Sequence, residues 1–294
     1  MKVIYPNMDF KEDPVLTLGF ENLDTSDTDN VVLHIDGYFD NGYCDFEKEF
    51  GKKYYCLDFE LPNNFWVGPR KHATIQIYEN KYDKIFTICP YTAKIRNRVL
   101  GREQYEYVYY PTPDTWDREN PKEYDISYFG NNAEVVLNDS ILKHNHVVVN
   151  KSGGPYCNRR GVSFQEKMDI ISKSRITVVH NILIFHGPTD KNFFDVRQEK
   201  FGFGTVTQHK SRVVEAARCK SLILCREDDF NIIEDWLTPN EDFLYYNNEN
   251  FEQIVDDVLQ NYEKYQPMIE NAYNKIKNNC GTINFYNDYI KSKQ

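Results

Sequence analysis

Short apolar runs separated by turns fill the first third of this 294-residue chain. The runs cover residues 31–35, 53–61, 84–89 and 105–110, and a helix is predicted over residues 92–100. Turn signals such as Asp36-Gly37 and Pro62-Asn63 interrupt them. Strands separated by helix-length connections predict an α/β layer.

The second half alternates more regularly between strands and helices. Nearly unbroken apolar runs at residues 125–129, 146–150, 176–180 and 221–225 are interleaved with predicted helices at 163–173 and 210–218. Strands of this kind are typical of a parallel sheet covered on both faces, so this half is predicted to be Rossmann-like. Asn250 and Gln253 suggest a capping box for a helix with a long apolar stripe, and Pro267 begins a second terminal helix.

Three prolines in a polar stretch mark a connection between two domains. Pro111, Pro113 and Pro121 restrict the backbone over a segment with few apolar residues. We therefore expect an N-terminal α/β domain over residues 1–120 and a C-terminal Rossmann-like domain over residues 121–294.

Charge and cysteine usage limit the classes of function. The net charge is −10 and no basic stripe is present, so nucleic-acid binding is not expected. No apolar run approaches the roughly 20 residues that cross a bilayer, and the first residues do not resemble a secretory signal. The seven cysteines are scattered without zinc-type spacing. We expect a cytoplasmic protein with reduced cysteines and no transmembrane segment.

The segment around residues 202–225 carries the most informative chemistry. Gly204 belongs to a loop, and a helix begins just after it, at a point that includes His209 and Lys210. The free N–H groups of a helix N-terminus bind anions, and Lys210 and Arg212 stand where they would clamp phosphate oxygens. Glu215 lies about one turn after Arg212 and is suited to accept from ribose hydroxyls. Together these features predict a nucleotide-diphosphate site, the alternative being an exposed helical ion pair between Arg212 and Glu215.

Two further pairs of residues follow predicted strands of the same half. Gly153 and Gly154 end one strand and are candidates for close approach to a phosphate, although an ordinary turn explains them equally well. His180 and Asn181 end another strand and are candidates for the same donor site, with a structural histidine as the alternative.

The order of these pieces resembles the group 1 glycosyltransferases of the GT-B architecture. The resemblance rests on Gly202-Phe203-Gly204, Lys210-Ser211-Arg212, Glu215-Ala216-Ala217 and the apolar strand that follows, and it extends over roughly residues 125–290. It implies two Rossmann-like domains facing a cleft, with a reduced N-terminal domain on the acceptor side and a C-terminal donor domain. It also implies transfer of a sugar from a nucleotide-diphosphate sugar to a glycan or other hydroxyl acceptor, without a metal or other cofactor.

One departure from that family pattern concerns its pair of glutamates. The first of the two would fall at Thr207, which is not acidic, so the sequence leaves open whether the anomeric configuration is retained or inverted. The same departure keeps open a non-catalytic carbohydrate- or nucleotide-binding module on this fold. Another nucleotide-sugar enzyme, such as an epimerase, is a further alternative.

Glycosyl transfer also needs a base or an electrostatic partner near the acceptor hydroxyl. Glu60 and Asp36 follow strands of the N-terminal layer and are the candidates, with turn and cap roles as the alternative. Asp27-Thr28-Asp29 matches a metal-binding D-x-D motif, but it precedes a strand and is interpreted as a loop, so no metal is expected.

Overall fold

Two five-stranded parallel sheets, a two-stranded sheet of β9 and β10 and several helices lie in the part of the chain that the computed structural model describes, which is residues 1–4, 18–36, 46–59, 79–131, 133–184 and 205–293. The strands are β1 Lys2–Ile4, β2 Val31–Asp36, β3 Lys53–Asp58, β4 Lys84–Thr87, β5 Tyr105–Tyr107, β6 Tyr124–Phe129, β7 His146–Val149, β8 Ser174–Val179, β9 Ile182–Ile184, β10 Thr205–Thr207, β11 Leu222–Arg226 and β12 Leu244–Tyr246. The α-helices are α1 Pro90–Leu100, α2 Ala133–Val136, α3 Phe164–Ser172, α4 Ser211–Arg218, α5 Phe251–Gln260, α6 Gln266–Asn279 and α7 Thr282–Phe285. Short 3-10 turns cover Phe20–Asn22, Ser26–Thr28, Asp114–Trp116, Asp139–Lys143, Ile232–Asp235, Tyr262–Tyr265 and Lys291–Lys293, and Tyr286–Ile290 is a π-helical turn.

The described residues form two compact units, whose bounds differ from the predicted boundary near residue 120. The first unit takes its residues from Met1–Pro111, Leu183–Gln208 and Thr282–Gln294, and the second from Thr112–Ile182 and His209–Gly281. Within the second unit, the backbone N–H of Thr112 donates to the carbonyl of Cys280 over 2.6 Å. Prolines mark a break in the chain, but the local pattern does not show that the last residues return to the first unit.

The first unit is built on a parallel sheet in the order β1-β2-β3-β4-β5. Leu33, Leu57 and Phe86 are fully buried in it. The ring of Phe285, from α7, meets the ring of Phe86 edge-on at 5.3 Å, which ties the end of the chain to this core. The predicted α/β layer is confirmed. Strand β1 was not predicted, because its three residues are too few to show an apolar pattern.

The second unit contains a parallel sheet in the order β12-β11-β8-β6-β7. Ile126, Val178 and Leu224 are fully buried at its centre, which explains why the central strands lack polar alternation. The strand order reverses between β6 and β8, as in doubly wound α/β folds. The predicted Rossmann-like sheet is confirmed.

Helix α4 packs on this sheet through a face of small and branched residues. Val213, Val214, Ala216 and Ala217 are buried, and the small side chains allow a close approach as expected. The predicted capping box of α5 is wrong, because Asn250 makes no side-chain cap and its Oδ1 instead accepts from the backbone N–H of Asn247.

Cys157, Cys219, Cys225 and Cys280 are free thiols in the described part of the chain. Within the described residues, no helix combines the length and the apolarity that crossing a bilayer requires.

Candidate nucleotide-binding site

The site in the second unit starts from the carboxyl ends of its parallel strands. In doubly wound sheets, ligands bind at this edge, where the strand order reverses. Here the reversal lies between β6 and β8, and His180 and Asn181 directly follow β8. The sequence prediction that these two residues end a strand is therefore correct, and the topology places them at the expected edge.

Asn181 connects the end of β8 to the start of α4. Its side chain is fully buried, and its Oδ1 accepts from the backbone N–H of Lys210 over 3.2 Å. Lys210 is the N-cap residue of α4 and provides no side-chain cap. The N-terminus of α4 therefore presents its positive end at the same edge, which is the arrangement that binds anions.

The charge state of His180 depends on its burial and on cationic side chains of α4. Burial, with added repulsion from Lys210 and Arg212, lowers the pKa of His180 to about 3. Its Nε2 lies 3.4 Å from the hydroxyl of Tyr128, on the neighbouring strand β6. The imidazole is thus neutral near pH 7 and lies in a positive field that also includes Arg226.

Glu215 is fully buried rather than placed on an exposed helix face. Its Oε1 pairs with Nζ of Lys167 over 2.7 Å, so the alternative of an exposed ion pair with Arg212 is wrong. Two buried atoms, Oε2 of Glu215 and Nε of Arg212, have no hydrogen-bond partner among the described residues. Buried polar atoms usually have a hydrogen-bond partner, and a ligand or a water molecule can supply the one that these two atoms lack.

His209 is held by packing. Its ring stacks on Trp236 with centroids 3.7 Å apart, and its Nε2 lies 3.5 Å from Oδ2 of Asp235. Burial lowers its pKa, so a neutral, packed side chain supports the loop that leads into α4.

Gly153 and Gly154 form a turn after β7. Both have positive φ, 76° and 119°, which explains why glycine stands there. A Cβ on Gly153 would lie 3.0 Å from Arg160, and one on Gly154 would lie 3.7 Å from Asn150. These neighbours belong to the same loop, as the ordinary-turn alternative predicts.

Three of the predicted site residues lie wholly or partly outside the described part of the chain. Gly204 and Glu60 lie outside the described residues. Asp36 is the last residue of β2, in the first unit, and its side chain is outside the described part.

Asp27 and Thr28 lie in a 3-10 turn before β2, as the loop interpretation predicts. Among the described residues, no group of three His, Cys, Asp or Glu side chains is arranged to hold a metal ion.

Sequence reasoning missed Tyr128, Gly130, Lys167 and Arg226. An added Cβ on Gly130 would lie 2.7 Å from the hydroxyl of Tyr128, so a side chain at this position would displace the hydroxyl that faces His180. A glycine directly after the first strand of a Rossmann-like half was the available signal for it. The pairing of Lys167 with Glu215 had no local signal, because 48 residues separate the two.

Comparison with known proteins identifies the fold. No family model matches the chain, and no curated protein matches it. Among solved structures, Anabaena Alr3699/HepE in complex with UDP-glucose is similar with a TM-score of 0.56 at 6% identity, covering 90% of this chain and 78% of HepE. A mutant of S. aureus TarM, in complex with fondaparinux, alpha-GlcNAc-glycerol and UDP, gives a TM-score of 0.57 at 10% identity, covering 88% of this chain and 54% of TarM. Sucrose-phosphate synthase from Thermosynechococcus elongatus gives a TM-score of 0.57 at 9% identity, covering 90% of this chain and 73% of the synthase.

The chain has the fold of these glycosyltransferases. The predicted α/β class, with two Rossmann-like parallel sheets, is confirmed.

Proposed function

We propose that this protein is a glycosyltransferase that moves a sugar from a nucleotide-diphosphate sugar to a glycan or another hydroxyl acceptor. The observation that carries the proposal is the bond from the backbone N–H of Lys210 to Oδ1 of Asn181, which brings the N-terminus of α4 to the end of β8 next to His180. This arrangement lies in a chain with the fold of nucleotide-sugar transferases.

The charges at this site suit a departing diphosphate. Two cationic side chains and a helix N-terminus stabilise negative charge that develops on the leaving phosphate oxygens. His180 adds no charge of its own, because burial keeps it neutral, but its ring nitrogens can still form hydrogen bonds. Lys210, Arg212 and α4 would therefore bind the diphosphate and assist its departure.

Glu215 is assigned to the ribose. Its Oε1 is held by Lys167, and its Oε2 has no partner within the described part of the chain. A ribose hydroxyl is a donor of the right kind for a carboxylate oxygen, and a bond to a charged acceptor contributes more than a neutral one. An anion site and a ribose acceptor on the same helix together match a nucleoside diphosphate.

The first donors to examine are UDP-linked sugars. HepE is in complex with UDP-glucose, and the TarM mutant is in complex with UDP, which makes uracil the first choice of base. We propose that the transfer needs no metal, since Lys210, Arg212 and the helix end supply the positive charge.

Thr207 favours one competing function. It is buried, and it occupies the position where the first glutamate of the resembled family would stand. The absence of a carboxylate at that position would suit a module that binds a nucleotide or sugar without catalysing transfer. A transferase should hydrolyse or transfer its nucleotide-sugar donor, whereas a binding module should leave the donor intact.

A donor panel tests the proposal. A ligand at 100 times its dissociation constant adds about 2.7 kcal/mol of stability, so UDP-, GDP- or ADP-glucose should raise the melting temperature measurably. CMP-linked sialic acid, which has a single phosphate, is the matched control and should give a smaller shift. The stabilising donor is then incubated with EDTA, and its hydrolysis is followed by chromatography. Slow release of nucleoside diphosphate supports a transferase, stabilisation without release supports the binding module, and no shift with any donor contradicts both.

A further inference from the structure

Lys167 and Glu215 form an ion pair between the neighbouring helices α3 and α4. Nζ of Lys167 lies 2.7 Å from Oε1 of Glu215, and the Lys167 side chain is 20% exposed while that of Glu215 is almost fully buried. The ammonium also lies 4.8 Å from the ring centroid of Phe164, on the same helix. A carboxylate removed from water needs a compensating cation, and Lys167 supplies it.

This pairing leaves the second carboxylate oxygen of Glu215 available. Oε2 is buried and has no hydrogen-bond partner among the described residues. Because Oε1 is fixed by Lys167, the carboxylate cannot rotate freely, and Oε2 keeps one direction. A fixed acceptor that lacks a donor is suited to recognise a hydroxyl group on a ligand.

We infer that Lys167 is a positioning residue that gives the site its preference for ribose over deoxyribose, by holding Glu215 ready to accept from the sugar hydroxyls. This inference rests on the proposed function. Lys167 itself need not contact the nucleotide, because its effect passes through the Glu215 carboxylate.

Nucleotide affinities test this role. Isothermal titration calorimetry compares UDP, GDP and ADP with their 2′-deoxy counterparts on wild type, Lys167→Met and Lys173→Met. The wild type should prefer the ribose form by about tenfold, as expected for one hydrogen bond to a charged group. Lys167→Met should lose this preference. Lys173→Met is the matched control, since it removes a lysine from the end of the same helix whose partner, Glu123, lies 3.0 Å away on the surface, and it should keep the preference.

A double variant distinguishes positioning from a general effect on the fold. If Lys167 acts through Glu215, adding Lys167→Met to Glu215→Gln should change the preference no further than Glu215→Gln alone. Lys167→Arg, which retains the charge, should keep most of the preference. Should Lys167→Met fail to fold, Lys167→Arg and the double variant, which buries no unpaired charge, decide the question.

The outcomes separate this inference from the proposed function. A folded Lys167→Met variant with the wild-type preference overturns the inference and leaves the proposed function standing. A double variant with less preference than Glu215→Gln overturns it as well, and so does a wild type that binds without any preference for ribose. If the wild type binds none of the nucleoside diphosphates, the proposed function itself fails.

Discussion

His180 lies almost fully buried next to cationic side chains, and this environment decides its charge. Burial contributes most to the lowering of its pKa to about 3, and repulsion from Lys210 and Arg212 adds to it. In the unfolded chain the same imidazole would titrate near its ordinary value of about 6.5. Between these two values only the unfolded chain binds the proton.

A change at His180 should therefore alter the pH dependence of stability. The contribution of the neutral imidazole is complete above pH 6.5 and is lost as the pH falls toward 3, by at most about 1.4 kcal/mol per pH unit. His180→Gln has no imidazole to protonate, so the variant does not lose this part of the free energy of unfolding on acidification. Urea unfolding at pH 7.5 and 4.5 should show that the free energy of unfolding falls less with acidification in the variant than in the wild type. An equal fall in both proteins would contradict the assigned burial of His180.

The residue types of the candidate site are predicted from the sequence, whereas the side chains that they contact are not. Lys210, Arg212 and Glu215 were predicted from their spacing along one helix, and His180 and Asn181 from the end of a strand. The burial of Glu215 and its pairing with Lys167 depend on how α3 packs beside α4. Local periodicity carries no information on which helix faces another.

Helix α4 depends on Asn181 for the position of its first turn. The buried Oδ1 of Asn181 accepts from the N–H of Lys210, which links the end of β8 to the beginning of the helix. The start and end of α4 match the predicted helix closely, because its apolar face repeats clearly. This linking bond was not predicted, since 29 residues separate its two partners.

Asn181→Ala should weaken both the fold and the proposed diphosphate site. Loss of the acceptor removes the bond to the partly buried N–H of Lys210, which costs about 1 kcal/mol. Unfolding in urea measures this loss, and calorimetry with UDP measures the accompanying drop in affinity.

Asn158→Ala is the matched control for this change. Asn158 accepts from the backbone N–H of Val148 over 2.9 Å and supports the edge strand β7 instead of α4. It should lose stability without a change in UDP affinity. Equal UDP affinities in wild type and Asn181→Ala would contradict the positioning role of Asn181.

At the scale of the whole chain, alternation of strands and helices was sufficient to predict the fold class. The strand order was not, because β8 pairs with β6 and β11, and such long-range pairing cannot be read from apolar runs. Yet the order matters most for the proposed site, since the reversal between β6 and β8 places His180 and Asn181 at the edge where doubly wound sheets bind ligands. The return of α7 to the first unit was likewise beyond local pattern.

Arg212, at the positive end of α4, is the residue that we propose binds the diphosphate of a nucleotide. Calorimetric titration of wild type and Arg212→Ala with UDP and with uridine tests this claim most directly. Arg175→Ala is the control, because Arg175 lies near the start of β8, away from the carboxyl edge, and pairs with Asp125 over 2.7 Å.

The predicted result is UDP binding that weakens about tenfold or more in Arg212→Ala, as expected for loss of a charge-assisted contact. Uridine affinity should stay unchanged in that variant, and Arg175→Ala should bind UDP like the wild type. UDP affinity in Arg212→Ala equal to that of the wild type would contradict the claim.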